Sequence, residues 1–180
     1  MEVDFMPNYR IISSSVDPLI VLNNQPYTEA AKNGQVYDIT TGDISVVGSG
    51  YLATQLTVPA NQNKTIYILR LIGGSTVNTT FEIYRNATFS GGTSITPANN
   101  NWNFSGGSTC TAKYISQATD PITGGTLLIS LVQIGGGLLL PFDGRIVIPS
   151  STTDRQFYLV LKNKSTSSNL CSISLAYWEV

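Results

Sequence analysis

The sequence predicts an all-β fold, a jelly-roll β-sandwich of about eight antiparallel strands that follows an extended N-terminal arm. Short segments rich in β-branched and aromatic residues alternate with turns of Gly, Pro and Asn, which is typical of such folds. Only residues 27–32 resemble a helix. The 180 residues are enough for one domain with a hydrophobic core, yet only 12% are charged, against about 25% in an ordinary domain.

Residues 1–45 differ in character from the rest of the chain, because turn residues interrupt every short apolar piece. The short helix over residues 27–32 should end at Asn33-Gly34. We expect residues 1–45 to form an extended arm with little core of its own, lying on a neighbouring subunit or a larger surface. The alternative is that this region covers the edge of its own domain.

Residues 46–180 carry regular strand signals and are expected to form the β domain. The predicted strands are residues 52–58, 65–72, 79–85, 110–115, 127–134, 145–148, 156–162 and 171–179. In the third of these, the alternation places Phe81 and Ile83 on one face and Glu82 and Tyr84 on the other. Residues 86–108 read as a long polar loop, and Phe142-Asp143-Gly144 reads as a turn.

The chain lacks the residues on which most acid–base, hydrolytic and redox sites depend. It has no histidine and two cysteines. From residue 86 to residue 153 the charged side chains are Lys113, Asp120, Asp143 and Arg145. The carboxylates lie far apart in sequence, and no Ser-x-x-Lys motif occurs. We therefore expect a protein that binds or encloses something, with no enzymatic activity, cofactor or metal.

Two glycine runs need an interpretation, since glycine-rich loops also bind phosphate. Residues 73–74 and 135–137 are not followed by Lys-Ser/Thr or by a helix start. They are interpreted as hairpin corners or as places of close backbone approach. The sixty-residue separation of Cys110 and Cys171 does not match a zinc site. A disulfide is disfavoured in a reducing compartment, and Cys171 is expected to pack as a small apolar residue.

Charge and hydropathy argue against two classes of partner. The net charge of −1 and the scattered basic residues argue against nucleic acid. The longest apolar run, residues 138–140, is far too short to span a membrane, and the acidic N-terminus does not resemble a signal peptide. We expect synthesis and folding in a cytoplasm.

The aromatic residues divide into two groups. Those within predicted strands are expected in the core. Trp102 and Phe104 instead lie in the polar loop. Either they form an exposed contact patch for a partner or a sugar, or the loop folds back and buries them.

Several short motifs, in order along residues 17–179, resemble those of tailed-bacteriophage head decoration proteins, which are all-β virion structural proteins. The motifs are YTEAAKNGQVYD at 27–38, FEIYRNAT at 81–88, SITPANNN at 94–101, SGGS at 105–108, GGTLL at 124–128 and ISLAYWE at 173–179. The low charge and the lack of histidine differ from more acidic, histidine-containing members. The class therefore stays open between a head decoration protein and a fibre or tail-tip β domain of similar build.

The resemblance implies a trimer on the outer capsid surface of a virion, with the major capsid protein and other copies of the chain as partners. It implies that the N-terminal arm contacts the capsid, through the arm's apolar and aromatic residues Phe5, Tyr9, Ile11, Leu19, Val21 and Tyr27. The alternative is a receptor- or glycan-binding domain that uses Trp102 and Phe104. An enzyme such as a depolymerase is the least favoured interpretation.

Overall fold

The computed structural model describes residues 9–12, 20–23, 26–60, 63–150, 153 and 155–180, with only the backbone described before residue 26. Within these ranges the chain forms fourteen strands and one short helix, so the predicted all-β class is confirmed. The elements are β1 Tyr9–Ile12, β2 Ile20–Asn23, α1 Pro26–Lys32, β3 Val36–Thr40, β4 Ile44–Val46, β5 Tyr51–Thr57, β6 Thr65–Arg85, β7 Thr88–Phe89, β8 Thr93–Ile95, β9 Ala98–Asn99, β10 Thr111–Gln117, β11 Ile122–Thr123, β12 Thr126–Pro149, β13 Gln156–Asn163 and β14 Asn169–Glu179.

Most strands belong to one curled antiparallel sheet, which has the order β8-β10-β5-β13-β6-β14-β3-β9. Two further strands extend it, because β12 pairs with β6 and β4 pairs with β14. The pairs β1–β2 and β7–β11 form separate two-stranded sheets. The curl brings the two halves of the large sheet face to face around a common core, as in a sandwich.

The strands β6 and β12 pair along almost their whole lengths, and we call this pair the ribbon. Residues 66–75 of β6 pair with β14, and residues 79–85 pair with β13, so the ribbon joins the two halves of the sheet. Sequence alone divided each strand into two, with glycines at hairpin corners, and that division is wrong. The glycines instead face each other within the ribbon, with Gly74 opposite Gly137 and Gly73 opposite Leu138.

Close backbone approach explains Gly73 and Gly74, as the second interpretation of the sequence had it. Gly135 and Gly136 instead have positive φ angles of 62° and 86° and lie at a shift in the pairing of β12 with β6. A Cβ on Gly74 would lie 2.8 Å from the carbonyl oxygen of Gly136, and one on Gly73 would lie 2.9 Å from the ring of Phe81. A side chain on Gly74 would push the two strands of the ribbon apart, and one on Gly73 would press on Phe81 and on the backbone of β14. Glycine therefore lets the ribbon stay paired where it crosses from one half of the sheet to the other.

The core follows from strict alternation along the strands. In β13, Phe157, Leu159 and Leu161 face the main core, whereas Tyr158 and Val160 face outward. The outward face is covered in two places. The β7–β11 pair covers the cluster around Tyr158, and α1 covers a second cluster that contains Val36 and Trp178. The predicted faces of residues 79–85 are confirmed, since Phe81 and Ile83 lie in the main core.

Residues 26–45 pack into the β domain. Strand β3 pairs with β14, and its residues Val36, Tyr37 and Ile39 are buried. Helix α1 matches the predicted helix and is followed by Gly34 at a φ of 68°. No helix in the described ranges is long and apolar enough to cross a membrane. That residues 1–25 act as an arm stays a prediction.

The predicted loop of residues 86–108 contains three short strands. Strand β8 pairs with β10 in one half of the sheet, and β9 pairs with β3 in the other half. This segment therefore closes the sheet on the side away from the ribbon. Its strands are only two or three residues long, so they give no periodic signal in the sequence.

Candidate interaction surfaces

The outward face of β12 is apolar and exposed. Along this strand the side chains alternate between a face that packs on the core, as Leu131 and Leu140 do, and a face that points to solvent. The exposed apolar side chains of β12 are Leu127, Leu128, Val132, Ile134, Leu139 and Val147. Val132 is 73% exposed and Ile134 is 86% exposed, which is unusual for neighbouring outward positions of one strand. This face is a candidate interaction surface.

The free edge of β12 adds to this surface. Among the described residues β12 pairs with β6 alone, so its second edge has no strand partner. Its first fifteen residues, 126–140, contain no charge and no proline. The residues that normally protect an edge follow later, as Pro141, Asp143, Arg145 and Pro149. Among the described residues, the uncharged half of β12 (residues 126–140) is thus a strand edge with no partner strand, no charge and no proline, and its pairing with β6 shifts twice.

The second half of β12 contains an irregularity that replaces the predicted turn at residues 142–144. The pairing with β6 shifts between Pro141 and Ile146. Asp143 and Gly144 have positive φ angles of 50° and 81°, and the exposed side chains of Asp143 and Arg145 lie 3.6 Å apart. A Cβ on Gly144 would lie 2.3 Å from the Trp178 ring, so this bulge packs closely over Trp178.

A cavity of about 300 Å³ lies between α1 and the ribbon. It is lined by Tyr27, Leu69, Arg70, Ile72, Leu139, Pro141 and Asp143. Tyr27 was predicted to contact a capsid, and here it is half-buried beside the cluster of Ala30 and Trp178. The guanidinium of Arg70 lies 3.9 Å from the Asp38 carboxylate, a loose pair at a half-exposed position. The cavity is large enough for a single apolar side chain of a partner.

A second exposed surface is the loop that carries Trp102. Asparagine side chains hold this loop against the C-terminal end of α1 and the turn that follows it. Asn101 donates its amide to the carbonyl of Lys32 at 2.8 Å, and Asn99 donates to the carbonyl of Gly34 at 2.7 Å. The Asn101 side chain also accepts a hydrogen bond from the backbone N–H of Asn103 at 3.1 Å. The loop is therefore held at several points although it is polar and exposed.

The structure assigns different positions to the two aromatic residues of this loop. Trp102 is 97% exposed, so the alternative in which the loop buries it is wrong. Phe104 is 44% exposed and lies over the backbone of Gly34 and Gly106, where added Cβ atoms would be 2.2 Å and 2.4 Å from its ring. Phe104 thus anchors the loop, and Trp102 is the aromatic side chain available for contact.

For five of the six residues predicted to contact a capsid, the structure describes no side chain. Phe5 and Leu19 lie outside the described residues. Tyr9 and Ile11 belong to β1, and Val21 belongs to β2, where only the backbone is described. The two strands pair antiparallel, from Tyr9 opposite Asn23 to Ile12 opposite Ile20. Their contact with a capsid stays a prediction.

One buried polar cluster lies where β14 ends. The carboxylate of Glu179 accepts hydrogen bonds from the Thr109 backbone N–H at 3.1 Å, the Thr109 hydroxyl at 2.9 Å and the Ser108 hydroxyl. Ser108 and the Tyr177 hydroxyl also lie 2.7 Å apart. Burial raises the pKa of Tyr177 above its ordinary value. These bonds hold the segment before β10 against β14.

Both cysteines are free and buried, as expected for Cys171. Burial, and then the nearby charge of Glu179, raises the pKa of Cys110 to about 12, and burial raises that of Cys171 to about 11. Neither thiol is therefore activated as a nucleophile. In the described part of the chain, no group of three or more His, Cys, Asp or Glu side chains is placed to hold a metal ion.

Comparison with known proteins gives no family. No family model matches the sequence, and no curated protein matches it. Among solved structures, the chain is similar to one from the T13 particle of infectious bursal disease virus, with 15% identity, a TM-score of 0.22, and 94% of this chain and 44% of that chain covered. For a structure of the Gt strain of this virus the identity is 14% and the TM-score 0.21, with 96% of this chain and 45% of that chain covered. For a structure of its T=1 particles the identity is 14% and the TM-score 0.20, with 94% of this chain and 44% of that chain covered. The chain spans less than half the length of these chains, and TM-scores this low carry no argument.

Proposed function

We propose that this protein is a virion structural protein that decorates and stabilises the outer surface of a phage capsid, binding across major capsid protein subunits as a homotrimer. The observation that carries the proposal is the uncharged half of β12, a long apolar surface that favours burial in an assembly over exposure to water. The resemblance to head decoration proteins supports it. So does a composition poor in the residues that chemistry requires.

The stabilising mechanism is mass action. A protein that binds the assembled shell but not its separated subunits shifts the equilibrium toward the shell. In an oligomer several weak contacts act together, so each can be modest while the whole binds firmly. In this proposal residues 1–25 contact the capsid, and residues 26–180 form the folded body from which they extend. A net charge of −1 gives little long-range repulsion between copies crowded on one shell.

The first test locates the protein on virions. Intact particles are labelled with gold-tagged antibody raised against this chain and viewed by electron microscopy. Label spread evenly over the head is the expected result. Label confined to the tail tip or to fibres contradicts the proposal and supports the second candidate function below.

The second test removes the arm without damaging the body. Because α1 and β3 belong to the β domain, the truncation should delete residues 1–25 and not residues 1–45. We expect the shortened protein to keep its oligomeric state and lose capsid binding. Full-length protein with Trp102→Ala is the matched control and should decorate normally. Normal occupancy by the shortened protein would show that the arm is not the capsid contact.

A second candidate function is receptor or glycan binding at a fibre or tail tip, favoured by the exposure of Trp102 on an anchored loop. Aromatic rings held on restrained loops are effective contact residues, since little conformational entropy is lost on binding. A glycan array would test it. Loss of a specific hit in Trp102→Ala, with the hit retained in Leu170→Ala at a different exposed apolar position, would support this function. An array without any specific hit would count against it.

A further inference from the structure

The exposed edge of β12 has charges and prolines in one half and none in the other. An exposed strand edge invites pairing with other chains, and proteins usually block it with charges, prolines or bulges. In β12 both prolines and both charged residues lie at residues 141–149, where the bulge at Gly144 packs over Trp178. The half from Thr126 to Leu140 has no charge and no proline, although it includes the most exposed aliphatic side chains of the ribbon. Its pairing with β6 shifts at two places, between Leu127 and Ile129 and between Ile134 and Gly136. This distribution indicates that a partner covers the uncharged half.

The size of the surface fits an interface between proteins. Five exposed side chains of the uncharged half and Ile72, which lies opposite Leu139 on β6, are each between 43% and 86% exposed. Full burial of one aliphatic side chain removes on the order of 100 Å² from water. The exposed fractions of these six residues add up to about three and a half such side chains, so together they expose roughly 350 Å². A standard interface buries about 800 Å² per partner, of which about 450 Å² is apolar. The surface supplies most of that apolar area.

The chemistry of the surface favours another copy of the same chain as the occupant. A partner of opposite charge has nothing to recognise here, because residues 126–140 have no charged side chain. An apolar strand edge is complementary to itself, since its own N–H and C=O groups pair with those of an identical edge. Every copy carries the surface, and a net charge of −1 opposes association only weakly.

We infer that copies of this chain associate through the uncharged half of β12, with Val132, Ile134 and Leu139 buried against another copy. The inference rests on the proposed function only in that both make the protein a homo-oligomer. It assigns the contact to particular residues, and it holds wherever the protein sits in a virion.

Sedimentation equilibrium of the purified full-length protein tests it directly. The wild-type protein should associate, and Val132→Lys/Ile134→Lys should raise the dissociation constant at least about 100-fold, because two aliphatic side chains are lost and like charges are brought together. Val47→Lys, at an exposed valine after β4, is the matched control and should associate like the wild type. Both positions of the double variant are exposed, so its thermal unfolding should equal that of the wild type when both are measured at a protein concentration low enough for the wild type to be monomeric.

Cysteine cross-linking provides the second measurement. Single substitutions Ser130→Cys, Val132→Cys and Ile134→Cys place thiols on the outward face, and Val47→Cys is the control. The two native cysteines are buried and should give no background. We expect oxidation to form covalent dimers at one or more of the β12 positions and not at residue 47.

Two results would overturn the inference. One is a wild-type protein that stays monomeric and forms no β12 cross-link; the other is a double variant that associates as strongly as the wild type. Both are measured without virions, so they leave the capsid proposal to the gold-labelling result. Label on the head together with monomeric protein in solution would mean that a capsid subunit covers β12.

Discussion

Gly144, the single glycine among residues 141–149 of β12, should be sensitive to substitution. It has a φ of 81°, and a Cβ added there would lie 2.3 Å from the Trp178 ring. Trp178 cannot move aside easily, because it is buried and stacks on Tyr67 with ring centroids 4.7 Å apart. Gly144→Ala therefore adds a backbone cost and a packing cost at one position.

The two costs can be separated with a matched control. An L-residue in the left-handed region costs about 1–2 kcal/mol, and overpacking against a filled site costs about 1–3 kcal/mol more. Gly42 has a similar φ of 65°, but a Cβ there would meet nothing within 4 Å. Replacing Gly by Ala also gains about 0.4–1 kcal/mol, because the unfolded chain becomes less flexible. Gly42→Ala should therefore lose about 1 kcal/mol, whereas Gly144→Ala should lose about 2–4 kcal/mol.

Urea unfolding and calorimetry of both variants would measure this difference. For a chain of this size about 1 kcal/mol lowers Tm by 2–4 °C, so Gly144→Ala should lower it by about 5–15 °C. In Gly144→Ala the tryptophan fluorescence should also change, because the Trp178 ring or the bulge over it must shift. In Gly42→Ala the fluorescence should stay unaltered. Equal losses for the two variants would refute the reasoning, because they would mean that the contact with Trp178 costs nothing.

Three further predictions concern ionisable groups. Cys110 and Cys171 should not react with a thiol reagent at about pH 8 in the native protein, and both should react after denaturation. Burial, and then the hydrogen bond to Glu82, raises the pKa of Tyr84 to about 12. The stability that this tyrosine contributes should therefore be complete below about pH 10 and be lost toward pH 12. In Tyr84→Phe the free energy of unfolding should fall less steeply over this pH range. Glu179→Gln should cost about 1.5–3 kcal/mol in urea unfolding, because it removes a charged acceptor from buried donors.

Much of the fold follows from local sequence. Runs of β-branched, aliphatic and aromatic residues that end at turn residues locate β5 and β13 within two residues, from segments 52–58 and 156–162, and alternation along 171–179 locates β14 as closely. Helix α1 follows from a short helical stretch ended by Asn33-Gly34. These signals are local, so they do not depend on which strands pair.

The ribbon could not be predicted in the same way. Local reasoning interprets Gly73-Gly74 and residues 135–137 as chain reversals, since isolated glycine pairs usually mark turns. The role of these glycines in the ribbon can be recognised only when β6 and β12 are paired, because the two runs then lie beside each other, with Gly137 opposite Gly74.

The loop of Trp102 shows a different limit. Composition correctly indicated a polar, turn-rich segment, but the alternatives of exposure and burial were open. The decision depends on where α1 ends, since the carbonyls of Lys32 and Gly34 receive the amides of Asn101 and Asn99. That contact spans more than sixty residues of sequence, which no local pattern reveals.

The ribbon also explains why the apolar surface lies where it does. The main core is filled from both halves of the sheet, and β12 already packs one face on it through Leu131 and Leu140. A strand buried only on that side needs polar residues on the other side if the protein is to stay monomeric. The second half of β12 follows this rule with Asp143 and Arg145, and the first half does not. Since both halves belong to one strand of one fold, folding alone does not account for the difference, and association of the first half does.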